Sequence, residues 1–187
     1  MASGFTLALH MNRPDRRRFV TTLGGMVLAG GVPRARAESA SPRVLRFDNL
    51  HTGEKLEAEY FAAGRYLPDA LASVNQLLRD FRSGQVAPID ASLLDLLHTL
   101  AAATGSRRAF QVISGYRSPV TNESLRRHSS GVASASLHTL GQAIDIRLAD
   151  VPLPALRDAA RSLRLGGVGY YAASDFVHVD TGRVRTW

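Results

Sequence analysis

Three residues of this 187-residue chain have the types and spacing to hold a metal ion: His138, Asp145 and His178. Zinc accepts imidazole nitrogen and carboxylate oxygen, each at about 2 Å. Gly141 lets the chain turn tightly between His138 and Asp145. His138 then stands just before a strand, Asp145 points off that strand's face, and His178 on a later strand completes the set. Three protein ligands leave a fourth position for water, which separates catalytic zinc from structural zinc. Bound zinc lowers the pKa of water to about 7. Spacing alone leaves a plainer alternative: a loop histidine, a turn or capping aspartate, and a core imidazole with satisfied hydrogen bonds.

Hydrolysis by such a water also needs a base. Asp175, three residues before His178, can stand near it without ligating the metal, take its proton and hand it to the leaving amine. Arg117 supplies positive charge for a developing oxyanion or a substrate carboxylate. Other neighbours carry two readings each. Ser136 either supports a metal ligand or is a turn hydroxyl. Asp180 shares the strand face of His178, so it either orients that ligand or pairs with Arg183. Tyr116 either lines the substrate groove or is buried beside Gly115. His128 reads as solvated or substrate-contacting, His51 and His98 as structural, and Trp187 as a packing anchor.

The elements that must position these residues follow from periodicity. Segments 44–47 and 54–60 flank Thr52-Gly53 as a hairpin. Leu71, Val74, Leu77, Leu78 and Phe81 recur at helical spacing over 67–82, which Ser83-Gly84 ends. Asp90 caps a second helix that buries Leu93, Leu94, Leu96, Leu97 and Leu100 and closes at Gly105. Segment 110–113 is a short strand. Residues 114–137 lack clear periodicity and read as a long functional loop with at most one helical turn. Strands at 142–148, 166–171 and 176–181 and a helix at 152–163 complete an α+β domain, a small antiparallel sheet with helices on one side.

The first 37 residues do not belong to that domain. They hold six arginines and one aspartate; four of the arginines lead into a mild apolar run over 19–32, and Ala35-Arg36-Ala37 offers an A-x-A cleavage site. Arg16-Arg17-Arg18-Phe19 resembles a twin-arginine export signal, with Asp15 where Ser or Thr usually stands. The alternative reading is a membrane anchor that is never cut; the apolar run is shorter than the ~20 residues of a spanning helix, so cleavage with no stable membrane insertion afterwards is the expectation. The leader takes most of the charge with it. Of the chain's net +7, with 23 basic and 16 acidic residues, the part after residue 37 keeps 17 and 15, or +2. The basic excess is therefore a targeting device, and no nucleic-acid partner is expected. The absence of cysteine excludes thiol peptidases and disulfide staples, and a domain of about 150 residues buries enough core without them.

Three stretches occur in order: Ser114-Gly115-Tyr116-Arg117-Ser118, then Ser136 to Asp145 as S-x-H-x-x-G-x-A-x-D, then Asp175-Phe176-Val177-His178. Together they resemble the zinc D-Ala-D-Ala carboxypeptidase family, most closely its murein endopeptidase K-like branch. The resemblance covers most of 44–187. It implies that His138, Asp145 and His178 bind one zinc, that Asp175 is the general base and that Arg117 assists at the transition state. It also implies the small α+β fold shared with Hedgehog-type domains. Dipeptidase-type members use Glu at the base position; the shorter Asp175 favours endopeptidase action on cross-links. The expected protein is a periplasmic, monomeric zinc metallopeptidase whose partners are peptidoglycan peptides. The competing readings are a carboxypeptidase that trims terminal D-Ala and a wall-binding module without turnover.

Overall fold

The structure, a computed structural model, describes residues 41–128 and 133–187; the expected leader over 1–37 lies outside them. Strands β1 (Arg43–Asn49) and β2 (Lys55–Ala62) form the expected hairpin, and Gly53 supplies the positive φ of its turn. There follow β3 (Arg65–Tyr66), α1 (Pro68–Leu77), α2 (Ala91–Thr104), β4 (Phe110–Ser114), α3 (Pro119–His128) and β5 (Ala143–Arg147). The chain continues through α4 (Leu153–Leu163), β6 (Gly167–Tyr171), β7 (Phe176–Asp180) and β8 (Arg185–Thr186).

The class is α+β, as expected, but the sheet is larger than a small antiparallel one. Its eight strands run β3-β2-β1-β4-β5-β7-β6-β8, and the pairs β1–β4 and β6–β8 are parallel. Parallel neighbours need a crossover connection, and α1 and α2 form the one that carries the chain from the hairpin to β4.

The sheet separates apolar from polar chemistry. Val74 and Leu77 of α1, Leu93, Leu97 and Leu100 of α2, and Leu156 and Ala160 of α4 join one buried cluster. Ile144 and Ile146 of β5 and Val177 and Val179 of β7 join it from the sheet. Side chains alternate across a strand, so the intervening Asp145, His178 and Asp180 are carried to the opposite face. On β4, Val112 pairs with Ile146 but Ser114 pairs with Asp145. The extra residue, Ile113, is a bulge that turns Ser114 onto the polar face.

Two segments depart from expectation. Helix α1 stops at Leu77 rather than at 82, because Asp80 folds the chain back: its Oδ1 accepts from the Arg82 N–H (3.0 Å) and its Oδ2 from the Ser118 N–H (3.0 Å). Phe81 leaves the helical face and stacks on His51 at 3.8 Å. Within 114–137, a ten-residue helix, α3, occupies part of the expected loop. Its residues are too polar to show an apolar period. The start signal was there: Pro119 at the first helical position, preceded by Ser118, whose Oγ accepts from the Thr121 N–H at 3.2 Å.

Asp80, 1 % exposed, thus ties the end of α1 to the loop that carries Arg117. Burial by itself raises the pKa of this carboxyl, but hydrogen bonds from Thr121, Ser118 and Arg82 outweigh burial and hold it below its ordinary value. A depressed folded pKa gives stability that is present above the unfolded value, about 3.9, and is lost as pH falls toward the folded one. Asp80→Ala is expected to cost about 1–3 kcal/mol at pH 7. The difference from wild type should shrink at pH 3, as read by urea unfolding of chelator-treated protein. An equal difference at both pH values contradicts this account.

Candidate metal centre

His138 lies in a single 3₁₀ turn, Leu137–Leu140, closed by Gly141 at φ 68°. That turn is fixed from outside: a Cβ at Gly141 would collide with the carbonyl oxygen of Pro88, and the Gly141 carbonyl accepts from the Asp90 N–H (3.0 Å). Asp145 and His178 are direct cross-strand partners on β5 and β7. All three side chains are buried, at 3 %, 6 % and 8 % exposure.

The far nitrogen of each imidazole is taken. His138 Nδ1–H donates to the Gly115 carbonyl oxygen at 2.7 Å. His178 Nε2–H donates to Asp180 Oδ2 at 3.1 Å. These bonds leave the lone pairs of His138 Nε2 and His178 Nδ1 pointing inward with Asp145 Oδ1. The three atoms form a triangle with sides of 3.2, 3.3 and 2.8 Å. Two donors bound at 2.0–2.1 Å to a tetrahedral ion lie roughly 3.3 Å apart, so the triangle fits one metal ion. Three buried acceptors at such distances repel one another unless a cation stands among them.

The electrostatics point the same way. Burial by itself lowers the His178 pKa, yet the carboxylates of Asp145 and Asp180 outweigh burial and raise it. Burial raises the pKa of Asp145, but His138 and His178 outweigh it and hold Asp145 ionised. The group draws positive charge inward whichever cation supplies it.

Arg117 enters from the loop after β4, its backbone N–H on the His138 carbonyl oxygen (3.1 Å). Its Nη2 reaches Ser114 Oγ at 3.3 Å and Asp145 Oδ2 at 3.7 Å, and its Nε, buried, has no hydrogen-bond partner among the described residues. Arg117, Ser136 and the three candidate ligands line one cavity of about 530 Å³. The Ser136 carbonyl oxygen accepts from the Thr139 N–H and hydroxyl, which holds the 3₁₀ turn.

Asp180 contacts the candidate ligand His178, and its charged partner needs a correction. The cation that pairs with it is Arg185, through Nη1 at 3.0 Å and Nη2 at 2.7 Å, and not Arg183. Two other expected neighbours stand away from the centre. Tyr116 is 6 % exposed and belongs to the apolar core, so its buried reading is the correct one. Asp175 is exposed at the turn before β7, paired with Arg147 at 2.6 Å and absent from the cavity lining. Its neighbours in sequence, Ser174 and Phe176, do line the cavity. His128 is exposed on α3, with its ring nitrogen on the Ser124 carbonyl oxygen.

Sequence reasoning missed one wall of the cavity: Tyr171, Phe176, Arg185 and Trp187. Trp187 is no buried anchor; it is 50 % exposed, with its ring 5.3 Å from that of His178. A signal was available in Gly167-Val168-Gly169, since glycine inside a strand marks a close approach. Side chains at those positions would collide with Arg185 and Trp187 as they cross β6 toward Asp180 and His178.

Comparison with known proteins places this geometry in context. The family model Peptidase_M15_2, described as peptidoglycan L,D-endopeptidase MepK, matches residues 37–187. The peptidoglycan L,D-endopeptidase MepK of Escherichia coli K12 is 44 % identical over 175 residues, covering 91 % of this chain and 96 % of the relative. A probable peptidoglycan L,D-endopeptidase MepK of Haemophilus influenzae Rd is 44 % identical over 183 residues, covering 95 % and 98 %.

A carboxylate behind a metal-binding imidazole fixes its tautomer and raises its basicity, and losing one typically costs 10–100-fold in metal affinity. Asp180→Asn, which keeps the shape but removes the charge, is expected to weaken metal binding by about that factor in competition with a chromogenic chelator. His128→Ala should leave it unchanged.

Proposed function

The chain belongs to the Peptidase_M15_2 family of peptidoglycan L,D-endopeptidases, and from that premise we propose that it is a zinc metallopeptidase that opens L,D-peptide cross-links in peptidoglycan. The observation that carries the proposal is the convergence of His138 Nε2, Asp145 Oδ1 and His178 Nδ1, with both outer imidazole nitrogens tied to fixed acceptors. Two imidazoles and a carboxylate are the donor set of catalytic zinc, and these three residues would hold the ion. Bound there, zinc supplies a Lewis acid for the scissile carbonyl and lowers the pKa of water to about 7.

The remaining work belongs to the chain. Arg117 holds a buried, incompletely bonded guanidinium at the cavity wall, where it binds the oxygen on which negative charge develops. Asp175 accepts the proton of the attacking water and returns it to the leaving amine. Among the described residues Asp145 is the only acid in the cavity lining, and the oxygens of Asp180 are taken by His178, Arg185 and backbone N–H groups. That leaves Asp175, at the rim and 62 % exposed on its side chain, as the carboxylate free to turn inward once it releases Arg147. The arginine-rich leader with its A-x-A site supports export by the twin-arginine route and action in the periplasm as a processed enzyme.

Incubation of purified sacculi with the zinc-loaded protein is expected to release peptides, and chelator should stop the release. Mass spectra should show cross-linked dimers converted to monomers. Loss of terminal D-Ala alone would mark a carboxypeptidase, and bound zinc without any hydrolysis a wall-binding module. Asp175→Ala should abolish turnover with zinc retained; loss of zinc would make it a ligand instead. Arg117→Lys, which keeps the charge but not the fork, should lower kcat by about 10²-fold.

A further inference from the structure

The cavity wall opposite Arg117's loop is aromatic, and none of the roles above uses it. Tyr171 and Phe176 stack at 4.6 Å with an interplanar angle of 21°. Trp187 is joined to them by its indole Nε1–H, which donates to Tyr171 Oη at 2.8 Å. The polar edge of the indole is thereby satisfied, so what remains for a ligand is its apolar face. Half of Trp187 is nevertheless exposed, beside the candidate metal ligand His178.

This exposure is built into the fold. The backbone of Trp187 is pinned to β6, where its N–H donates to the Val168 carbonyl oxygen (3.2 Å) and its carbonyl oxygen accepts from the Tyr170 N–H (3.1 Å). Its ring then crosses β6 above Gly169, where a Cβ would come within 2.7 Å of Cε2. Arg185, held on Asp180 by two hydrogen bonds, places its guanidinium over the indole, 4.8 Å from the ring centroid, and so covers that side of it. An exposed apolar face so closely held, at a cavity with polar groups on its other side, is the pattern of a ligand platform.

We propose that Trp187, backed by Tyr171 and Phe176, is a specificity-determining residue that packs against the aliphatic stem of the diamino acid through which the peptide cross-link is made. The proposal rests on the peptidoglycan-endopeptidase reading and names the part of the substrate that this wall receives. C–H groups that pack on an indole come from two parts of peptidoglycan: the methylene stem of a diamino acid and the face of a sugar ring. Distance selects the stem. The indole lies 5.3 Å from a metal ligand's ring, and an extended chain advances about 3.3–3.6 Å per residue. A residue adjoining the scissile bond reaches it, and a sugar several residues away does not.

Trp187 is the only tryptophan in the chain, so it reports on its own contacts. Titration of the zinc-loaded protein with a glycan-free, uncross-linked stem peptide is expected to shift its emission to shorter wavelength and to saturate. A shift seen only with the glycan-bearing muropeptide overturns the assignment to the peptide. On a glycan-free cross-linked peptide, Trp187→Ala should raise KM by about 10-fold, the worth of one packed aromatic face, with kcat within about threefold. Trp187→Phe should recover most of the loss, and zinc content should be unchanged in both variants. Gly169→Ala, which pushes the ring off its seat, should raise KM with Trp187 still present. Normal hydrolysis by wild type together with a silent emission and an unchanged KM in Trp187→Ala overturns the platform alone. Failure of the wild-type protein to cut cross-linked peptides overturns the endopeptidase reading, and the platform's assignment with it.

Discussion

A carboxylate removed from water must have its oxygens bonded and its charge balanced. Asp180 is fully buried, and it meets that demand with groups from four parts of the chain. Gly167 N–H comes from β6, Gly182 N–H from the turn after β7, the Arg185 guanidinium from β8, and His178 Nε2–H from its own strand. Burial pushes its pKa upward, but His178, Arg185 and Gly182 outweigh burial and hold the group ionised. Satisfying this one charge fixes the tautomer of His178, draws β8 in beside β6, and brings Arg185 across Gly167. Trp187, two residues further on, then lies over the neighbouring Gly169. Candidate ligand, tail strand and aromatic wall are thus set by the same buried anion.

The second constraint is the two-faced sheet. Because side chains alternate, β5 and β7 place isoleucines and valines on the helices while directing Asp145, His178 and Asp180 the other way. The packed face holds the strands rigidly, and rigid strands can keep three lone pairs within 2.8–3.3 Å of one another. Other parts of the cavity lining come from loops and ends: Arg117 after β4, His138 on its 3₁₀ turn, Trp187 beyond β8. Asp80 and Gly141 anchor two of those loops to the helical layer through backbone contacts.

Some elements were legible in the chain because one local rule decided each. Helix α2 has its Asp90 cap, five buried leucines and a closing Gly105, and it forms as its pattern dictates. The hairpin and strands β5 and β7 follow from alternation. Helix α3 was not legible, since its mean composition is too polar to show a period, and α1 was overextended because Asp80's distant partner, Ser118, could not be seen. The ligand triad was legible as residue types at a spacing, which by itself also suited structural histidines. What the motif left open at Asp175 was its partner: it has φ 54° just before β7, and its carboxylate pairs with Arg147.

The sequence by itself determined the chemistry available: two histidines and an aspartate without any cysteine, an arginine after a Ser-Gly-Tyr turn, and strand periods that put Asp145, His178 and Asp180 on one face. These depend only on residue type and on the period of two along a strand. The tertiary structure alone decided which groups meet. It chose Arg185 over Arg183 as the partner of Asp180, sent Tyr116 to the core, and brought Trp187 against His178. Those outcomes depend on β8 returning parallel to β6 and on the space left by two glycines, and such long-range packing leaves no mark in any single stretch of the chain.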